Sequence, residues 1–212
     1  MNYDHVLLPS GVARTVEEVD EYLSGQQGQP ESATIAEIAA AINERDAELP
    51  DEDTFLGTDT VGGAATGATL AVSSPYDAIG FVRALLFDLA TPRGLAVYDP
   101  QLTWLFDPAD RIDLEVTHGG AGEFPYLTEA LLETWIPELT APNPYVIAQR
   151  APQTYIQTYR DESGVYTVEY RDGSPDRHFG TQVEEPARVV DLLWTWARGK
   201  DPSDEDWSRI EF

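Results

Sequence analysis

The chain has 212 residues, of which 38 are acidic and 13 are basic, and its formal net charge is −25. A charge of this size repels nucleic acid and anionic membrane surfaces and attracts basic proteins. The chain contains no cysteine, which excludes disulfides, thiolate metal sites and a cysteine nucleophile.

Apolar and aromatic residues make up 42% and 10% of the chain, which is enough for a packed core. No apolar run approaches the length of a membrane-spanning helix. The first residues, MNYDHVLLPSG, lack the basic region and apolar stretch of a signal peptide. We therefore expect a soluble cytoplasmic protein that binds neither membrane nor nucleic acid. A solubility requirement or a halophilic origin would produce the same acidity.

The first part of the chain predicts a strand followed by two capped helices. Residues 3–8 favour a short strand that ends before a Pro-Ser-Gly turn. Thr15 and Glu18 have the spacing of a capping box, and Thr34 and Glu37 repeat it. Each pair precedes apolar residues at helical spacing.

Residues 44–53 form an acidic stretch that contains a proline and predicts a loop, and residues 58–67 are rich in Gly and Thr and predict irregular structure. A strand over 69–73 is followed by Ser74, Pro75 and an acidic first turn, which predicts a helix capped by Ser74. Residues 95–98 then favour another strand, and 103–106 and 112–116 two further strand-like pieces.

The motif HGGAG at 118–122 predicts a hinge between two units, residues 1–116 and 123–212. One continuous domain remains the alternative. Residues 1–116 carry five basic and 21 acidic residues, and residues 117–212 carry eight basic and 17 acidic residues. The acidity is therefore concentrated in the first half.

The second half predicts a helix over 127–139, a three-stranded meander and a closing helix that begins at Pro186 and ends at Gly199. The meander comprises strands at 154–159, 165–170 and 178–183. The predicted order is βααβαβ followed by αβββα. This order favours an α+β fold with two small antiparallel sheets and helices packed on one face of each.

The sequence contains no recognisable catalytic or metal-binding motif. HGGAG is similar to an esterase oxyanion loop, but the chain has no G-x-S-x-G nucleophile elbow. His5, His118 and His178 are isolated, without the pairing of a zinc site. Ser174, Asp176 and His178 are close in sequence, which does not by itself make a catalytic triad. We therefore predict no catalytic residue, no metal and no cofactor.

Exposed acidic and aromatic residues are the candidates for contact with a partner. The acidic stretch and the acidic tail predict a surface that steers a basic partner. Tyr and Trp bury much area with few rotatable bonds and dominate interface hot spots, and they are frequent in the meander. The predicted partner-binding residues are Glu48, Asp51, Glu52, Asp53, Tyr159, Tyr170, Arg171, Asp204 and Glu205. The tail residues Trp207, Ile210 and Phe212 are expected to be packed.

The segments YIQTYRDESGVYTVEYRDGSPDRHF (155–179), LLWTWARG (192–199) and DEDW (204–207) resemble actinobacterial immunity-type proteins of polymorphic toxin systems. This resemblance covers the last third of the chain, and GLAVYDPQ (94–101) is similar to pieces of the same group. It implies a small cytoplasmic protein that binds and blocks a co-encoded toxin domain. It identifies no toxin and transfers no binding residues.

The sequence therefore favours an immunity-type protein whose partner is a basic toxin domain. Two alternatives remain open at this point. The first is an enzyme with an unrecognised active site between the two halves, using His118 or His178 with a carboxylate. The second is an acidic adaptor protein from a halophile. A deep pocket with convergent polar groups would favour the enzyme, and a flat or convex charged face would favour the inhibitor.

Overall fold

The computed structural model describes residues 2–58, 60–202 and 205–210. It contains helices and two antiparallel sheets, of four and seven strands, which confirms the predicted α+β class. The chain divides into two compact units, Met1–Ala109 and Asp110–Phe212. Each unit contains one of the two sheets.

The sheet of the first unit has the strand order β2-β1-β3-β4, and all neighbouring strands are antiparallel. The elements of this unit are β1 (Asn2–Pro9), α1 (Val16–Gln26), α2 (Ala33–Ala47), β2 (Leu70–Pro75), α3 (Ile79–Ala90), β3 (Leu95–Asp99) and β4 (Trp104–Phe106). Every residue of β3 is buried. Helices cover both faces of this sheet, whereas the pattern predicted one covered face, because β1 and β3 present apolar residues to both sides.

The two faces of β1 contact different helices. Leu8 packs with Val19 of α1 and with Tyr98 of β3. On the opposite face, the Tyr3 hydroxyl lies 3.4 Å from the guanidinium of Arg83 in α3. Strand β1 is therefore held between two layers of helix.

A buried charged cluster joins β1, α3 and β3. One carboxylate oxygen of Asp99 accepts hydrogen bonds from the Tyr3 hydroxyl, at 2.6 Å, and from the Arg83 guanidinium, at 3.1 Å. The other oxygen accepts the backbone N–H groups of Gln101 and Leu102, at 3.1 and 3.0 Å. Asp99 is 0% exposed and Arg83 is 5% exposed. The two buried charges therefore depend on each other.

Two of the three predicted helix caps differ from the structure. Thr15 caps α1 as predicted, since its hydroxyl accepts the Glu18 N–H at 3.3 Å. Helix α2 begins earlier than predicted, because Ser32 accepts the Ile35 N–H at 3.3 Å and takes the place of Thr34. Ser74 caps no helix and lies in β2, because the pairing of β2 with β1 continues through Pro75.

The sheet of the second unit has the strand order β11-β10-β9-β8-β7-β5-β6. The elements of this unit are β5 (Ile112–His118), β6 (Gly122–Leu127), α4 (Glu129–Glu138), β7 (Tyr145–Ala151), β8 (Thr154–Arg160), β9 (Tyr166–Asp172), β10 (His178–Val183), α5 (Pro186–Ala197) and β11 (Ser208–Arg209). Strands β8, β9 and β10 confirm the predicted meander. Helix α5 begins at Pro186, also as predicted.

The segment 118–122 forms a hairpin between β5 and β6 and is not a hinge. The His118 carbonyl accepts the Ala121 N–H at 3.0 Å, and the Gly119 N–H donates to the Tyr145 carbonyl of β7 at 2.9 Å. Gly122 has φ +102°, a conformation that favours glycine. The two units divide between Ala109 and Asp110 instead, because β5 pairs with β6 and β7.

Strands β6 and β7 were not predicted. Strand β6 contains Pro125, which cannot donate to a ladder, and it is tolerated because β6 is an edge strand. Strand β7 follows Pro144 and alternates buried Val146 and Ala148 with half-buried Tyr145 and Ile147. This alternation with a period of two is a strand signal that can be read from the sequence.

The tail packs onto β10, as predicted for Trp207 and Ile210. The Trp207 ring lies edge-on to Tyr170, with ring centroids 4.8 Å apart, and its indole N–H donates to the Pro202 carbonyl at 2.6 Å. The Ile210 N–H donates to the His178 carbonyl at 2.9 Å. Phe212 lies outside the described residues.

We predict that Asp99→Asn lowers the free energy of unfolding by about 3–5 kcal/mol, because it leaves the Arg83 charge buried without a counter-charge. Chemical denaturation followed by circular dichroism measures this loss. Asp113→Asn is the control, since Asp113 pairs with Arg111 at an exposed position and should cost less than about 1 kcal/mol. Equal losses in the two variants would contradict the prediction.

Candidate protein-binding surface

Among the described residues of the second unit, helices α4 and α5 cover one face of the seven-stranded sheet. The Trp135 ring of α4 packs against His118 of β5 and Phe124 of β6, with ring centroids 5.3 and 5.2 Å apart. The Tyr166 hydroxyl of β9 donates to the Ile136 carbonyl of α4 at 2.9 Å. Helix α5 packs on β8, β9 and β10 on this same side. Side chains alternate between the two sides of a strand. The strand residues that point away from α4 and α5 therefore form the opposite face of the sheet.

We call this surface the open face and define it by six outward-pointing residues, Tyr145, Ile147, Gln157, Tyr159, Glu169 and Arg171. Register places Tyr145 beside Tyr159 across β7 and β8, and Gln157 beside Glu169 across β8 and β9. A shallow depression of about 230 Å³ lies among the first five of them. Tyr159 is 50% exposed at its rim.

A polar network fixes one side of the open face. The Gln157 amide donates to Glu169 at 2.8 Å, and the His178 Nε2 atom lies 3.3 Å from the same carboxylate oxygen. The Arg171 guanidinium lies 3.1 Å from His178 Nδ1. Because a guanidinium only donates, Nδ1 is the acceptor and the ring proton of a neutral His178 is on Nε2, towards Glu169.

Arg171 is held by two further contacts. It donates to the Gln153 side chain at 2.7 Å, and its guanidinium carbon lies 5.5 Å from the centre of the Tyr155 ring. These contacts restrict the rotamers of Arg171 before any partner binds. A side chain ordered in advance loses less entropy on binding.

The structure places the three predicted contact residues of the meander on two different faces of the sheet. Tyr159 and Arg171 lie on the open face, but Tyr170 points to the opposite face, with its ring stacked on Phe179 at 5.2 Å. The reason is geometric, since neighbouring residues of a strand point to opposite sides. Tyr145 and Ile147 were missed because strand β7 was missed.

The predicted acidic loop is largely ordered and belongs to the first unit. Its first residues form the last turn of α2, and Asp51–Asp53 forms a short 3-10 turn. Glu48 directly follows α2 as its C-cap and pairs with Arg45 at 3.7 Å, whereas Glu52 and Asp53 are exposed.

Of the two predicted tail residues, Glu205 forms an ion pair with Arg188. Asp204 lies outside the described residues. The charge of Glu205 is therefore compensated within the chain.

The carboxylate that faces His178 belongs to Glu169 and not to Asp176, so Ser174, Asp176 and His178 do not form a catalytic triad. Asp176 accepts a hydrogen bond from Arg209 at 3.2 Å, while His178 faces Glu169 and Arg171. Among the residues that the structure describes, no group of three His, Cys, Asp or Glu side chains is placed to hold a metal ion.

Comparison of the chain with known protein families, with curated proteins and with solved structures finds no match. In the described ranges, none of the helices combines the length and the apolar character needed to cross a membrane.

His118 supplies a pH prediction. Burial lowers its pKa from the ordinary 6.5 to about 4, and its Nδ1 atom accepts the Gly120 N–H at 3.2 Å. Because the unfolded chain binds the proton more readily, stability is lost as pH falls from about 6.5 to about 4, by up to about 3 kcal/mol. NMR titration of the His118 ring and denaturation at several pH values measure both effects.

His118→Gln keeps an acceptor for the Gly120 N–H without a titrating group. This variant should lose stability less steeply than the wild type over the same pH window. His5, whose pKa is also lowered to about 4 by burial, still titrates in both proteins. A His118 pKa at or above 6.5 would contradict the prediction.

Proposed function

We propose that this chain is an immunity-type protein, which binds and neutralises a toxin domain encoded beside it, in the cytoplasm of the producing cell. The observation that carries the proposal is the open face. There a half-exposed tyrosine, Tyr159, borders a shallow depression on the face of the seven-stranded sheet that lies opposite α4 and α5.

The dimensions of the depression favour a macromolecule over a small ligand. Its volume of about 230 Å³ is below the roughly 300–1,000 Å³ of most small-molecule pockets. The open face also presents Tyr159 and Arg171, two residue types that are enriched in the hot spots of protein interfaces. A protein partner therefore suits this surface better than a metabolite.

The charge of the chain favours a basic partner. A net charge of −25 accelerates association with a positively charged protein at low ionic strength. A toxin domain that acts on nucleic acid needs a basic surface to bind its substrate. An acidic inhibitor complements such a surface and is itself repelled by the nucleic acid.

The proposal predicts protection of cells by co-expression. The open reading frames next to this gene are expressed one at a time in a heterologous host, alone and with this protein. One product should arrest growth when alone and should be tolerated in the presence of this chain. Calorimetry on the purified pair then gives the Kd. If no neighbouring product is toxic, or if co-expression leaves the toxicity unchanged, the proposal is wrong.

Tyr159→Ala tests the contact surface. Truncating a hot-spot tyrosine costs about 2 kcal/mol or more, which is about thirtyfold in Kd. The matched control is Tyr76→Ala in the first unit, because Tyr76 is 51% exposed and Tyr159 is 50% exposed. The control should bind within about twofold of the wild type, well inside 1 kcal/mol. Equal effects of the two substitutions would place the interface elsewhere.

A further inference from the structure

A second recess lies between α4 and α5 in the second unit. It has a volume of about 410 Å³, and its apolar lining is formed by Pro137, Pro186, Ala187 and Val190. We call it the helix groove. Because both helices lie on the covered side of the sheet, the helix groove is on the side opposite the open face.

The rim of the helix groove is entirely acidic. Its four charged residues are Glu129, Glu133, Glu185 and Asp191. All four side chains are exposed, and none of the lining residues is basic. Within residues 2–58, 60–202 and 205–210, none of the four forms an ion pair.

Helix stability accounts for only half of this charge. Glu129 is in the first turn of α4 and Glu185 directly precedes α5, where carboxylates interact favourably with the helix dipole. Glu133 and Asp191 lie beyond the first turns. Glu133 is also four residues after Glu129, and like charges at this spacing destabilise a helix.

We propose that the helix groove docks a segment of a partner protein in which arginine or lysine alternates with apolar residues. The apolar lining accepts the apolar side chains, and the four carboxylates accept the cationic ones. The charge argues against two other occupants. Phosphate groups would be repelled, and so would a second copy of a chain with net charge −25.

This inference goes beyond the proposed function, because it concerns a different surface and needs no knowledge of the toxin. Its test uses probe peptides and the intact chain. Binding of the peptides can therefore fail while protection from a toxin succeeds, and the reverse also holds.

The probe is a short fluorescent peptide of alternating arginine and leucine, with an alternating glutamate and leucine peptide as its charge-reversed partner. Fluorescence anisotropy against the full chain measures binding at several salt concentrations. We expect the arginine peptide to bind, with an affinity that falls as salt rises, and the glutamate peptide not to bind. Equal binding of both peptides would overturn the proposal.

A charge-matched pair of variants separates the helix groove from the general acidity of the chain. The groove variant combines E129Q, E133Q, E185Q and D191N. The control variant removes the same number of negative charges from exposed positions of α1 and α2. It combines D20N, E21Q, E37Q and E44Q. We expect the groove variant to weaken binding about tenfold or more and the control about twofold or less, differences that anisotropy resolves. Equal weakening would show diffuse attraction and overturn the proposal.

Ala187→Trp tests the apolar lining without changing any charge. Ala187 is exposed in the first turn of α5, so a larger side chain there fills the groove without disturbing the core. We expect this variant to lose binding of the arginine peptide while its circular dichroism spectrum stays that of the wild type. Unchanged affinity would show that the peptide binds elsewhere and would overturn the proposal.

Discussion

Helices α4 and α5 cover one side of the seven-stranded sheet of the second unit, and this constraint determines the surfaces of that unit. Seven strands spaced about 4.8 Å apart span about 29 Å, whereas two helices of about 10 Å diameter cover about 20 Å. The apolar side chains of α4 and α5 pack against that one face of the sheet. The other face is stabilised by contacts among its own side chains, such as those of Gln157 with Glu169 and of Arg171 with Tyr155.

The same constraint gives the second unit two surfaces of different character. The open face is mixed, with tyrosine, an aliphatic residue, a carboxylate and an arginine in place before binding. The helix groove on the opposite side is apolar at its lining and acidic at its rim. A flat partner cannot contact both surfaces at once, so the two proposals concern separate contacts. In an immunity-type protein they would allow a toxin to be held by one surface while a second basic segment binds the other.

The first unit is stabilised differently, because its sheet is covered on both faces. Its central strands carry the buried Asp99, whose four hydrogen-bond donors come from β1, α3 and the turn after β3. Replacement of a buried ion pair by apolar residues is often neutral or stabilising. The presence of such a pair therefore does not by itself show that it stabilises the fold. We attribute the value of the cluster to geometry, since it joins β1 to α3 and β3, which lie about 80 or more residues further along the chain.

The sequence by itself determined the α+β class, the meander, the N-cap at Thr15 and the start of α5 at Pro186, because these depend on local spacing and on backbone chemistry. It also indicated that Tyr159 and Arg171 are contact candidates. The alternation along one strand also implies that Tyr170 and Arg171 face opposite sides. Only the tertiary structure decided which of these sides the helices cover, that Tyr145 lies beside Tyr159 across β7 and β8, and that Glu129 and Asp191 line one groove. Strand pairing and helix packing bring together residues that are far apart along the chain, and no local pattern contains that information.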